Sequence, residues 1–130
     1  MALILLDTDV LIEILRGNEA IRDELSALYL QGEALAYSPV TKAEVYAGLR
    51  SPERRVTEVL FLGLQCCSID EMIGEHTGYF LRSYHKSHGV ELADALIAAT
   101  AKVYQAFLFT LNRRHYPMPE LRLYPARKWH

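Results

Sequence analysis

The sequence lacks any apolar run near the roughly 20 residues that a helix needs to cross a bilayer. It also lacks the basic, apolar and small-residue pattern of a secretory leader at its start. Its two cysteines, Cys66 and Cys67, are adjacent, so they cannot form an ordinary disulfide with each other and do not have the spacing of a metal site. We therefore expect a cytoplasmic protein with buried, reduced thiols and no membrane segment.

Positive charge is not in excess: 14 Lys and Arg oppose 16 Asp and Glu, which gives a net charge of -2. No global positive field therefore attracts this chain to nucleic acid. Between residues 113 and 130, however, five basic residues oppose the single acid Glu120. The five are Arg113, Arg114, Arg122, Arg127 and Lys128. This asymmetry suggests an acidic centre with a basic rim, although a solvated basic tail has the same pattern.

No internal repeat, low-complexity segment or linker divides the chain, so we predict one domain over residues 1–130. Short apolar stretches alternate with stretches of helical spacing. Strands are predicted at residues 3–6, 35–37, 65–69, 106–111 and 121–124. Helices are predicted at 10–17, 18–31, 41–50, 53–62, 70–89 and 92–104, the fourth with Val56, Val59 and Leu60 inward. This alternation predicts a three-layer α/β/α sandwich around a mainly parallel sheet.

Polar residues follow the ends of three predicted strands. Asp7 and Asp9 follow the first, Glu44 lies in the helix after the second, and Thr110 and Asn112 follow strand 106–111. Ligands bind at the carboxyl ends of strands in parallel sheets, so Asp7 stands where chemistry usually occurs. The alternative is that these acids only cap helices, with Glu44 in a capping box that begins at residue 41.

Asp94 lies in a helix that is apolar on nearly every side. A carboxylate in such a helix must be paired, neutralised, bound to a cation, or satisfied by the amides of its own first turn. Carboxylates that converge from separate elements repel each other unless a cation lies between them. Mg²⁺ prefers oxygen ligands and often binds substrate phosphate as well, so the acids together predict a phosphate-containing substrate.

Four stretches, at residues 5–12, 41–49, 92–101 and 110–116, resemble PIN-domain ribonucleases, specifically VapC-like toxins of type II toxin–antitoxin pairs. The resemblance implies that Asp7 and Asp94 bind Mg²⁺ or Mn²⁺ and that Glu44 is a third acid of the same site. Thr110 and Asn112 would lie at its rim. It also implies endonucleolytic cleavage of RNA, with tRNA or rRNA as frequent targets, a small antitoxin that covers the site, and a homodimer.

Two features depart from the family pattern. Asp9 stands where the family usually has Ser or Asn, so it is either an extra acid at the rim or only a cap. No acid occurs between residues 112 and 119, where family members often carry a fourth.

Arg113 and Arg114 would hold the RNA backbone in a salt-sensitive manner.

Two other functions are compatible with parts of the sequence. Asp7 and Asp9 also suggest a haloacid-dehalogenase-like phosphatase, but Val10 stands where a glycine is expected, and the later acids are not paired. A PIN module that binds RNA or a partner without cleaving is the second alternative. His115 is expected to pack or form a hydrogen bond at the edge of the domain.

Overall fold

A computed structural model describes residues 1–125, so that Arg127 and Lys128 of the basic segment lie outside the described residues. Within this range the centre of the protein is a five-stranded sheet. Its strands are β1 (Leu3–Leu6), β2 (Ala34–Tyr37), β3 (Gln65–Cys66), β4 (Phe107–Phe109) and β5 (Arg122–Leu123). The strand order is β3-β2-β1-β4-β5, and every neighbouring pair is parallel. The predicted parallel sheet is confirmed.

Helices cover both faces of this sheet. Within residues 1–125 they are α1 (Thr8–Leu15), α2 (Glu19–Leu30), α3 (Pro39–Ala47), α4 (Arg54–Leu62), α5 (Glu71–His88) and α6 (Leu92–Val103), with short 3-10 helices at Ser51–Glu53 and Arg113–His115. Successive side chains of a strand point to opposite faces. Leu5 packs in the cluster that contains α5 and α6, whereas Ile4 and Leu6 pack in the cluster formed with α1 to α4. The three-layer α/β/α sandwich is therefore confirmed.

Helix α3 begins earlier than the sequence predicts. Ser38 is its N-cap and accepts the backbone N–H of Val40 at 3.1 Å, and Pro39 occupies the first helical position. Proline suits that position because it has no N–H to leave unpaired and its φ angle is already helical. Glu44 therefore lies in the second turn, and its assignment to a capping box with Thr41 is wrong.

Helix α4 turns a different face inward from the one predicted. Val56 is 62% exposed and Val59 is 55% exposed, whereas Thr57 and Phe61 are buried. Phe61 fixes this orientation because its ring packs against Tyr37, with ring centroids 4.7 Å apart. The prediction that the two valines face the core is wrong, and the helix presents an apolar row to solvent.

Strand β3 is shorter than the predicted 65–69 and lies at an edge of the sheet. Cys67 is buried, but Cys66 is exposed, so the expectation of two buried thiols is wrong for Cys66. Among the described residues, none of the helices combines the length and the apolar composition needed to cross a membrane.

Candidate active site

The candidate site lies where β1 and β4 end, in the middle of the sheet. These strands pair with Leu6 opposite Phe109, and the Asp7 N–H extends the ladder by donating to the Phe109 carbonyl at 2.9 Å. The next residue on β4, Thr110, donates its hydroxyl to Oδ2 of Asp7 at 2.8 Å. Two polar side chains that are 103 residues apart in sequence are thus brought together by the register of one strand pair.

The Asp7 carboxylate is only 6% exposed and accepts three hydrogen bonds. Its Oδ1 accepts the Thr8 N–H at 2.8 Å, which makes Asp7 the N-cap of α1, and Oδ2 accepts hydroxyls from Thr110 and Tyr116, each at 2.8 Å. Burial raises the pKa of Asp7, the three hydrogen bonds oppose that rise, and the charge of Asp94 adds to it. Burial and the neighbouring Asp7 also raise the pKa of Tyr116, so its phenol stays protonated and donates.

Asp94 lies in the first turn of α6 with 21% of its side chain exposed. Burial raises its pKa, and the charge of Glu44 contributes to the rise, whereas His115 lowers the pKa. The His115 Nδ1 lies 3.6 Å from the Asp94 Oδ1. The charge of Asp94 thus contributes to the raised pKa of Asp7, and the charge of Glu44 contributes to the raised pKa of Asp94.

Glu44 lies at the exposed edge of this acidic group. Its Oε1 accepts the Thr8 hydroxyl at 2.6 Å, and the Thr8 oxygen is 3.1 Å from the hydroxyl oxygen of Thr41, which is buried. Thr8 therefore donates to two acids, its backbone N–H to Asp7 and its hydroxyl to Glu44. Because Thr8 is the first residue of α1, its hydroxyl orients the Glu44 side chain toward the start of that helix.

Asp9 is joined to the segment after β4. Its Oδ2 accepts the Leu111 N–H at 3.2 Å, while its Oδ1 is buried and has no hydrogen-bond partner among the described residues. Burial, followed by the charge of Asp7, raises the pKa of Asp9 to about 6. Asp9 is thus a fourth carboxyl group, next to Asp7, and only one of its oxygens has a hydrogen-bond partner among the described residues.

The raised pKa of Asp9 predicts how stability depends on pH. A carboxyl whose pKa is higher in the folded than in the unfolded state stabilises the fold below its unfolded pKa, and that stability is lost as the pH rises through about 6. With a chelator present, Asp9→Asn should remove this loss and stabilise the protein by ~1–2 kcal/mol at pH 7.5. The expected gain is smaller than the free energy that follows from the pKa difference alone, because the new amide N–H₂ lacks an acceptor.

Urea unfolding from pH 4.5 to 7.5 measures this effect. The exposed Asp23 on α2 offers the matched control, and Asp23→Asn should leave the slope of stability against pH unchanged. An Asp9→Asn protein whose stability follows that of the unaltered chain at every pH would contradict a buried, destabilising charge at position 9.

The predicted rim residues have different roles in the structure. The Asn112 N–H donates to the Thr110 hydroxyl oxygen at 3.0 Å, and its side-chain nitrogen is 3.0 Å from the Nε2 of His115. Arg113 donates to the backbone carbonyl of Tyr124 at 3.1 Å, so its guanidinium also ties down the chain's own C-terminal segment. Arg114 is exposed. Of the two arginines, Arg114 is the better placed for an external ligand.

A comparison of the sequence with models of protein families identifies the family of this chain. The sequence profile of the PIN domain matches residues 4–121. The chain belongs to the PIN-domain family. The resemblance noted in the sequence is thereby confirmed, and the phosphatase alternative has no support.

Individual PIN proteins are similar over nearly the full length of the chain. Ribonuclease VapC10 of Mycobacterium tuberculosis is 43% identical over 119 residues, which are 91% of this chain and 89% of that protein. Ribonuclease VapC19 of the same organism is 39% identical over 119 residues, 90% of this chain and 95% of that protein. In a crystal structure of DNA-bound VapBC from Salmonella typhimurium, a chain with 25% identity matches with a TM-score of 0.78 and complete coverage of both chains.

The acids of this PIN domain do not by themselves form a complete metal site in the part of the chain that the structure describes. Among residues 1–125, no three His, Cys, Asp or Glu side chains form a group that could hold an ion unaided. A carboxylate has about four lone-pair positions, and Asp7 uses three, two on Oδ2 and one on Oδ1. One position therefore remains on Oδ1. The set fits Mg²⁺, which is usually held by one or two carboxylates with water and substrate phosphate completing the shell.

A mainly apolar groove of about 500 Å³ adjoins the acidic site. Helices α1, α3 and α4 border it, and Glu44 is part of both the groove and the acidic site. Its apolar lining is Ile12, Leu15, Val45, Leu49, Pro52 and Val56. Charged and polar side chains also line it: Arg16, Arg50, Glu53 and Thr57. The exposed position of Val56 on α4 means that apolar surface continues from this groove onto the outside of the helix.

Two residues that the sequence does not point to as site residues lie in the site. His115 and Tyr116 follow Asn112 closely, and they contact Asp94 and Asp7 respectively. The signal that could have identified them is their position directly after a strand end that already carries Thr110. No local pattern indicates which carboxyl group each one contacts.

Proposed function

We propose that this chain is a divalent-metal-dependent endoribonuclease and the toxin of a toxin–antitoxin pair that acts in the cytoplasm. The observation that carries the proposal is that the buried Asp7 carboxylate directly follows β1, at the end of the sheet where parallel strands bind ligands, and that the charge of Asp94 raises its pKa. Identities of 43% and 39% to proteins named ribonucleases support the reaction class.

In the proposed mechanism, Asp7 and Asp94 would hold Mg²⁺ or Mn²⁺. When bound there, such an ion would lower the pKa of a water molecule and neutralise charge on the phosphate oxygens. Glu44 is exposed and oriented by Thr8, so it can accept the proton of the attacking water. Thr110 holds Asp7 in place, and its hydroxyl oxygen also accepts the Asn112 N–H. In this assignment the two less exposed carboxylates, Asp7 and Asp94, would bind the ion, and the exposed Glu44 would accept the proton.

RNA would meet the site beside the segment after β4. Arg114 is exposed there, and the Asn112 side chain is partly exposed, so both can contact phosphate oxygens. Arg113 would contribute less because it also donates to the Tyr124 carbonyl. Such contacts are salt-dependent because binding releases counterions from the RNA. We propose tRNA or rRNA as the substrate class.

Incubation of the purified chain with total RNA tests the proposal. With Mg²⁺ present we expect discrete cuts that leave 5′-phosphate and 3′-hydroxyl ends, and a chelator should stop the cutting until excess Mg²⁺ is restored. Mapping the new ends identifies the target. RNA binding without new ends would instead indicate a non-cleaving PIN module. If the chain neither binds nor cuts RNA, a role in RNA metabolism is refuted.

We propose that the partner is a small antitoxin and that it occupies the apolar groove beside Glu44. The VapBC complex from Salmonella typhimurium, which matches this fold over its full length, supports a partner of that kind. An apolar segment in the groove would bury Val56 and would lie next to the acidic site. We further propose that the toxin is a homodimer, which analytical ultracentrifugation of the purified chain tests.

A charge in the groove should weaken antitoxin binding without affecting cleavage. Val56→Glu places a carboxylate where the apolar segment of the antitoxin would lie, so the dissociation constant for the antitoxin should rise about tenfold or more, because the carboxylate loses its water on binding. Val59→Glu is the matched control, since Val59 is exposed on the same helix and does not line the groove. Equal binding by both variants would place the antitoxin elsewhere.

A further inference from the structure

Tyr116 occupies an unusual position for a residue outside the acidic sequence motifs. It is 4% exposed, and its ring belongs to the core cluster that also contains Leu108 and Met118. Its backbone N–H donates to the Arg113 carbonyl at 3.1 Å. Ring and backbone are therefore both fixed, and the position of the hydroxyl follows from the packing of the core.

That hydroxyl donates to Oδ2 of Asp7 at 2.8 Å, and it is the second hydroxyl on that oxygen. Thr110 supplies the first, also at 2.8 Å, and the Thr8 N–H occupies one position on the other oxygen, Oδ1. With two donors on Oδ2, both of its lone-pair positions are used. The carboxylate is held against rotation about its terminal bond, and Oδ1 accepts a hydrogen bond from the Thr8 N–H alone among the described residues.

We propose that Tyr116 is a positioning residue, whose hydroxyl fixes the Asp7 carboxylate so that Oδ1 is the oxygen available to the divalent ion. The inference rests on the proposed function, because it concerns the carboxylate assigned to that ion. It assigns Tyr116 no contact with RNA. Partners of this kind that orient a metal-binding side chain are generally important for affinity, and their loss typically costs about 10- to 100-fold in ion binding or activity.

Tyr116→Phe tests the inference because it removes the hydroxyl and keeps the buried ring. Binding of Mn²⁺ to the RNA-free protein is followed by electron paramagnetic resonance. We expect the dissociation constant for Mn²⁺ to rise about tenfold. In RNA cleavage, the Mg²⁺ concentration that gives half-maximal rate should rise by a similar factor, while the rate at saturating Mg²⁺ stays within about threefold.

Tyr104→Phe is the matched control. Tyr104 also donates its hydroxyl to an oxygen, the Ser68 carbonyl at 3.0 Å, but it lies at the end of α6, away from the acidic site. Its removal should leave Mn²⁺ binding and cleavage unchanged. Circular dichroism and urea unfolding with a chelator show that each variant is folded under the binding conditions, so a general loss of structure is recognised as such.

The possible outcomes separate this inference from the proposed function. If the unaltered chain binds Mn²⁺ and Tyr116→Phe binds it within twofold as tightly, the inference is overturned and the proposed function stands. Equal weakening by Tyr104→Phe, or a loss of maximal rate with no change in ion affinity, also overturns it. If the unaltered chain neither binds Mn²⁺ nor cleaves RNA, the proposed function and the inference both fail.

Discussion

The Asp7→Asn protein is expected to be folded and to cleave RNA about 10³-fold more slowly than the unaltered chain, since a metal ion supplies several kcal/mol of catalysis at ~1.4 kcal/mol per tenfold in rate. The substitution keeps the shape of the side chain but removes the charge that holds the ion. Folding should survive because two contributions oppose each other. Removal of a buried charge favours the folded state, and loss of one of the two oxygens that accept from the Thr8 N–H and from the Thr110 and Tyr116 hydroxyls opposes it.

Single-turnover cleavage of a mapped RNA substrate measures the first effect, and thermal unfolding with a chelator measures the second. Asp23→Asn on the exposed side of α2 makes the same change in net charge and should cleave at the normal rate. Mg²⁺-dependent cutting by Asp7→Asn at more than a tenth of the normal rate would show that position 7 does not hold the catalytic ion. An unfolded Asp7→Asn protein would instead assign Asp7 a structural role as the N-cap of α1.

Asp94→Asn should lower the affinity for Mg²⁺ or Mn²⁺ by about 100-fold, because an ion that two carboxylates hold keeps only one of its charged ligands. Isothermal titration calorimetry of the RNA-free protein measures this directly. Glu91→Gln is a demanding control, since Glu91 is the N-cap residue of α6 and its charge raises the pKa of Asp94. It should weaken binding by no more than about twofold, because an exposed charge acts through water.

The comparison of Asp94→Asn with Glu91→Gln distinguishes direct binding of the ion by Asp94 from a general effect of negative charge near the site. A ligand role for Asp94 requires a large effect at position 94 and a small effect at position 91. Equal affinities in Asp94→Asn and the unaltered chain would remove Asp94 from the ion and leave it as a first-turn acid. Equal losses in both variants would indicate only a weaker negative field around Asp7.

The polar strand ends and the parallel sheet could be predicted because they depend on short stretches of sequence. An unbroken apolar run that ends in Asp7 indicates a buried strand and its carboxyl end, and the same holds for the run that ends at Thr110. In a parallel sheet all such ends lie along one edge, so the neighbourhood of the two residues follows from topology. The caps at Asn18 and Asp70, and the left-handed end at Gly89, were predictable for the same local reason.

Other features were not predictable because competing local patterns or distant contacts decide them. Two N-caps were available for α3, and Ser38 with Pro39 prevailed over Thr41. In α4 the two valines fit an inward stripe equally well, and the packing of Phe61 against Tyr37 selects the other face. The contact of Tyr116 with Asp7 depends on how the Tyr116 ring packs in the core. The two residues are 109 positions apart, so no local sequence pattern predicts their contact.

The central place of β1 in the sheet affects when, during synthesis, the proposed site can form. Asp7 is synthesised before Thr110 and Tyr116, which hold its carboxylate and follow 103 and 109 residues later. Chains fold as they emerge during synthesis, and contacts between distant residues form late. We expect translation products that end before β4 not to cleave RNA, because the Asp7 carboxylate then lacks the Thr110 and Tyr116 hydroxyls that hold its Oδ2.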